Sequence, residues 1–127
     1  MFIVDTANAG NGTFTAKGGV VANGVGSFIA FGGSASAANG TFAIDGGTVS
    51  DASGALVSFN DTSSAGNSSF TVNGGAAGGA LGGFLVFQNQ TLANATLTIN
   101  GGAVSGAFGG ELDINTTGTA ANATLVQ

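Results

Sequence analysis

A nine-residue phrase, Asn94-Ala95-Thr96-Leu97-Thr98-Ile99-Asn100-Gly101-Gly102, recurs in near copy at 67–75, 39–47 and 11–19, and begins again at Asn122. Self-similarity at a fixed period constrains a fold strongly, because each copy must adopt the same local structure and bury its apolar face on its neighbours. Two columns set the period. Val4, Phe31, Phe59, Phe87 and Ile114 lie 27, 28, 28 and 27 residues apart, while Phe14, Phe42, Phe70, Leu97 and Leu125 lie 28, 28, 27 and 28 apart. The glycine pairs 18–19, 46–47, 74–75 and 101–102 keep step.

Each unit carries two clear strand signals and a weaker third. The first covers Met1–Val4, Phe28–Phe31, Leu56–Phe59, Phe84–Phe87 and Glu111–Ile114. Its inward pairs read Phe2/Val4, Ile29/Phe31, Val57/Phe59, Leu85/Phe87 and Leu112/Ile114, while the alternate positions drift to Ser58, Glu111 and Asp113. One strict and one permissive face at a period of two describe a strand buried on one side. In the second strand a small inward residue (Gly12, Gly40, Ser68, Ala95, Ala123) precedes the Phe14/Phe42/Phe70/Leu97/Leu125 column, with Thr13, Thr41, Ser69, Thr96 and Thr124 outward between them. The third strand is short, with Val21, Val49, Ala77 and Val104 as its inward column, and Gly/Ala turns lead back to strand one.

Helical repeats are disfavoured by the density of Gly, Thr and Ser. The expected fold is all-β: a right-handed, three-sided parallel β-solenoid of about five rungs, in one domain over 1–127. The rungs run approximately 1–27, 28–55, 56–83, 84–110 and 111–127, the last partial. Phe14, Phe42, Phe70, Phe31, Phe59 and Phe87 would stack as its core.

Composition narrows the functions. With 25 Gly, 43% hydrophobic and 6% charged residues, the chain has ample core material and little to drive charge-based disorder. Its net charge of −5, with Lys17 as the sole basic side chain, excludes nucleic acid and anionic membrane surfaces as electrostatic partners. The stretch Met1–Asp5 has no basic region and too short an apolar run for a signal peptide. The uncharged run Gly74–Phe87 is too short to span a bilayer and reads as a buried core segment, so no membrane insertion is expected.

Catalysis is not expected. Without His, Cys or Tyr, and with one Lys, the usual nucleophile–base pairs cannot be assembled. Glu111 and Asp113 share an outward face and could pose as a glycosidase pair, but no inserted loop walls a groove beside them, and solvated charges that discourage edge aggregation describe them better. Calcium repeats fail because only Asp45 adjoins a glycine pair, and it precedes it. No catalytic residue, metal site or cofactor is expected.

Three columns remain as candidate functional features. Asn11, Asn39, Asn67, Asn94 and Asn122 form an inward amide ladder along the axis. Each also heads an Asn-x-Thr/Ser sequon, as do Asn60, Asn89 and Asn115, but the period itself generates these. The outward hydroxyls of Thr13, Thr15, Thr41, Ser69, Thr71, Thr96, Thr98 and Thr124 make a possible binding face, similar to that of ice-binding β-solenoids, broken at Ala43 and Val126. The apolar outward positions of strand one (Ile3, Phe28, Leu56, Phe84 and Val86, with Met1 and Ala30) suggest a lateral interface.

Phrases such as Ser64-Ala65-Gly66-Asn67-Ser68-Ser69-Phe70-Thr71-Val72-Asn73-Gly74-Gly75 resemble the Gly/Asn/Thr/Ala-rich repeats of large bacterial exported proteins, autotransporter-like passengers and other surface adhesins. The resemblance spans essentially the whole chain and implies an extracellular or cell-surface structural segment. The chain departs from that pattern in lacking an export signal and a translocator barrel, and in holding about five rungs. It opens in strand one and stops in strand two without a cap, so either neighbouring rungs of a longer parent cover these ends or copies stack head to tail into a fibre. The expected function is therefore a non-catalytic adhesin stalk or a self-assembling fibre whose partner is another copy, end to end or side by side. The alternative is ice binding on the Thr face.

Overall fold

The computed structural model describes residues 1–115, 120 and 122–127. Among the described residues ten strands alternate between two parallel sheets. β1 (Phe2–Ile3), β3 (Phe28–Phe31), β5 (Leu56–Phe59), β7 (Phe84–Gln88) and β9 (Glu111–Asn115) stack in that order as one sheet. β2 (Thr13–Ala16), β4 (Thr41–Ile44), β6 (Ser69–Val72), β8 (Thr96–Ile99) and β10 (Thr124–Val126) stack as the other. The chain is an all-β parallel solenoid of four turns and part of a fifth, each strand pairing with its counterpart one repeat away.

The space between the sheets is filled by two columns of rings. Phe31, Phe59 and Phe87 stack with centroids 4.4 and 4.7 Å apart. Phe14, Phe42 and Phe70 stack at 4.9 and 5.0 Å. Across the core the columns meet edge to face, Phe31 on Phe42 and Phe59 on Phe70 at 5.7 Å and Phe70 on Phe87 at 6.3 Å. Stacking at the rung spacing and edge contacts between columns both suit the ring quadrupole, and each such pair adds ~0.5–1.5 kcal/mol beyond burial. Leu97, 1% exposed, continues the second column into rung four. Leu125, in rung five, is 61% exposed, in contrast to the buried position its column suggests.

The register corrects the first strand. Ile3, not Val4, pairs with Phe31, and Phe2 pairs with Ala30. Ile3 is therefore buried in the core, while Phe2 and Val4 are 72% and 47% exposed. A one-residue slip moves every side chain to the opposite face, so this correction also removes Ile3 from the outer surface.

The third side carries no strand. After each strand of the second sheet the chain makes an eleven-position excursion whose neck is closed by one backbone bond, Ser27 N to Lys17 O, Ala55 N to Asp45 O, Gly83 N to Asn73 O and Gly110 N to Asn100 O. Excursions stack through bonds such as Thr48 N to Gly19 O and Ala76 N to Gly47 O, both 2.9 Å. Val21 and Val104 are 63% and 50% exposed, so they do not form an inward column; the buried residues of this side are Ala52 and Ala80. The stretch Gly74–Phe87 is correspondingly no continuous core segment, since Ala76, Gly78 and Leu81 are exposed before β7 begins. Two glycine columns permit the close stacking. A Cβ on Gly46 would lie 2.4 Å from Gly74 O, and one on Gly54 would lie 1.9 Å from Gly82 O. The glycine Cα–H thus points at the carbonyl of the next rung, a weak hydrogen bond that needs a bare Cα.

Three further corners per turn use the left-handed backbone region in register. Asp5, Gly33, Asp61 and Asn89 form one such column; Asn23, Asp51, Gly79 and Gly106 a second; Gly10, Ala38, Gly66 and Ala93 a third. Asp, Asn and Gly suit that conformation, but Ala38 and Ala93, both at φ 52°, do not. Ala93→Gly is expected to raise stability by ~0.5–1 kcal/mol, the relieved strain exceeding the added unfolded-state entropy. Urea denaturation checks it, and an unchanged or lower midpoint would contradict the strain.

Candidate functional surfaces

The asparagine column forms a directional side-chain ladder. Asn39 Nδ2 donates to Asn11 Oδ1 at 3.2 Å, Asn67 to Asn39 at 3.5 Å, Asn94 to Asn67 at 3.0 Å and Asn122 to Asn94 at 3.3 Å. These side chains are exposed rather than inward. The corner just before strand two turns them out of the core, where Gly12, Gly40, Ser68 and Ala95 leave room only for small side chains. A second ladder, not evident in the sequence, runs through the excursion neck. Lys17 Nζ donates to Asp45 Oδ2 at 3.0 Å, Asn73 Nδ2 to Asp45 Oδ1 at 2.9 Å and Asn100 Nδ2 to Asn73 Oδ1 at 2.8 Å. Its column mixes Lys, Asp and Asn, which hides it from a search for identical residues.

The outward face of the second sheet is the threonine face. Pairing places Thr13, Thr41, Ser69, Thr96 and Thr124 in one row and Thr15, Ala43, Thr71, Thr98 and Val126 in the next. The first row is exposed throughout; Thr71 and Thr98 in the second are half-buried. Neighbours within a row, one rung apart, repeat at ~4.8 Å, and the two rows, two residues apart on each strand, lie ~6.6 Å from one another. The result is a regular two-row lattice of hydroxyl and methyl groups with two gaps.

The outward face of the first sheet is apolar, though not as the strand pattern alone suggests. Ala30 and Val86, at 6% and 7% exposure, are covered, as is Ser58 between them. Val86 and Ile3 therefore offer nothing to a partner. Phe28 is 38% exposed, and Leu56 and Phe84 are half-buried. Facing Leu56 and Phe84 across a floor of glycine backbone stand Leu81 and Phe108 from the excursions, enclosing a groove of about 460 Å³ that Glu111 closes at one end. The excursion residues were hidden in the sequence by their glycine-rich surroundings.

Chemistry-bearing groups are sparse. Glu111 is exposed and Asp113 half-buried on this face. No cluster of three or more potential metal ligands occurs among the described residues, and none of their helices could cross a membrane. Comparison with protein-family models, with curated proteins and with solved structures returns no match.

Proposed function

We propose that this chain is a non-catalytic structural segment, a rigid rod of the kind that forms the stalk of a bacterial surface adhesin or the body of an extracellular fibre. The observation that carries the reading is that the principal ordered contacts run along one axis. Two ring columns, two amide ladders and two parallel sheets repeat the same bonds from rung to rung. The resemblance of the repeats to those of exported bacterial adhesins supports the surface setting. The rungs are joined through parallel backbone pairing, so the same bonds serve rungs of one chain in a stalk or of successive copies in a fibre.

Electron microscopy of the purified chain over a concentration series tests the role. Filaments mark a fibre subunit, and stable dispersed particles mark a stalk. The threonine lattice favours one second reading, recognition of ice by a flat hydroxyl–methyl array. Arrest of ice growth at micromolar protein, abolished by Thr41→Lys, would replace the structural reading; ordinary ice growth retains it.

A further inference from the structure

We infer that the apolar groove beside the first sheet is the contact surface for a second copy of this chain, packed antiparallel about a two-fold axis. The groove is bounded by two axial columns that keep the rung step. One wall is Leu56 and Phe84, from the outward face of the sheet, and the other is Leu81 and Phe108, from two successive excursions. Phe28 extends the first wall by one rung, while in the second column Ser53 stands between Leu81 and Val25. Val25, Phe28, Leu81 and Phe108 are 84, 38, 45 and 56% exposed. For side chains of this size the six residues present ~450 Å² of apolar surface, within the ~300–600 Å² of a monomer's largest patch, the size class that often marks a contact site.

The size and shape select the partner. A standard interface buries ~800 Å² per partner and is ~56–65% apolar, so this patch supplies the centre and the polar excursion backbone the rim. The excursion column is a ridge lying parallel to its own groove, with the same rise. A second copy turned end for end therefore seats its Leu81 and Phe108 in this groove while the same pair here fills the other, an isologous contact across two adjacent rungs. A surface with a different axial rise would match at one rung and miss at the next.

Charge fixes the direction. The charged side chains of the first sheet's strands are Glu111 and Asp113, both in rung five, and at the other end the Met1 ammonium donates to Phe28 O at 2.7 Å. Parallel pairing would superpose the four carboxylates of two copies. Antiparallel pairing holds them ~20 Å apart, beyond the Debye length of ~8 Å at physiological ionic strength. The pairing is independent of whether the rod serves as stalk or fibre, since it uses the side of the solenoid and not its ends.

Sedimentation equilibrium from about 1 µM to about 500 µM tests this, because affinities of this class fall inside that range. The chain is expected to pass from its own mass to twice it. The double variant Leu81→Glu/Phe108→Glu, at exposed loop positions, is expected to stay at single mass with unchanged circular dichroism and melting temperature. Glu111→Gln is expected to shift the midpoint less than twofold, since antiparallel copies keep these carboxylates apart. A chain that stays at single mass at every concentration, or a dimer that survives the double variant, overturns the assignment; the face then belongs to a different chain or an amphiphile. A tenfold tightening by Glu111→Gln overturns the antiparallel direction.

Discussion

Phe70→Asp is expected to leave no folded protein at 25 °C. Phe70 is 1% exposed, lies against Phe42 at 5.0 Å and meets the edges of Phe59 and Phe87. An aspartate there would sit among rings with no cation in reach, since the only Lys is held at the surface by Asp45. Burying that carboxyl, by desolvating its charge or by protonating it against bulk pH, adds to the ~3–5 kcal/mol lost with the ring, and together they reach the ~5–15 kcal/mol by which domains are stable. Phe70→Leu separates charge from volume. Leucine already occupies this column at Leu97, so that variant is expected to lose only ~1–2 kcal/mol. Far-ultraviolet circular dichroism with urea titration reads both, and a cooperative transition in the aspartate variant would refute the ring-column core.

Gly46→Ala is expected to cost ~3 kcal/mol, large for the addition of one methyl group. Its Cβ would fall 2.4 Å from Gly74 O and 2.5 Å from Gly74 C, both backbone atoms that cannot rotate away. Accommodating it means prising two rungs apart at a corner where they are tied on both sides by parallel bonds. Gly101→Ala is the matched control, because Gly101 belongs to the same column two rungs on and a Cβ there meets nothing within 4 Å. It is expected to be neutral or slightly stabilising, within ~0.5–1 kcal/mol, through the smaller entropy of the unfolded chain. Equal losses at the two positions would mean that glycine serves backbone flexibility here rather than close approach.

Much of this architecture is legible because the repeat supplies its own alignment. The Phe14/Phe42/Phe70/Leu97 column combines a 28-residue step with period-two alternation, so face and register follow together. At the start of the chain the two signals separate. Ile3 and Val4 are both apolar, and only the step distinguishes them: 28 residues lead from Ile3 to Phe31, and 27 from Val4. The third side is illegible for a different reason. Its buried residues, Ala52 and Ala80, are small, while its large ones, Val25, Leu81 and Phe108, face outward to build the groove wall. Hydropathy therefore points the wrong way in that segment. A column search for large apolar residues at the repeat step would have found only Leu81 and Phe108, 27 residues apart, because Ser53 interrupts the column between Val25 and Leu81.

The central claim is that residues one repeat apart lie one rung apart along a common axis. Distances between nitroxides at Thr13 and Thr96, and at Thr13 and Thr124, measure this directly in a chain that has no native cysteine to compete for the label. Three and four rungs predict narrow distributions centred near ~14 Å and ~19 Å, plus a common offset for the label arms. The second pair spans most of the sequence, so broad distributions beyond ~30 Å, the scale of an unfolded chain of this length, would contradict the stacked solenoid.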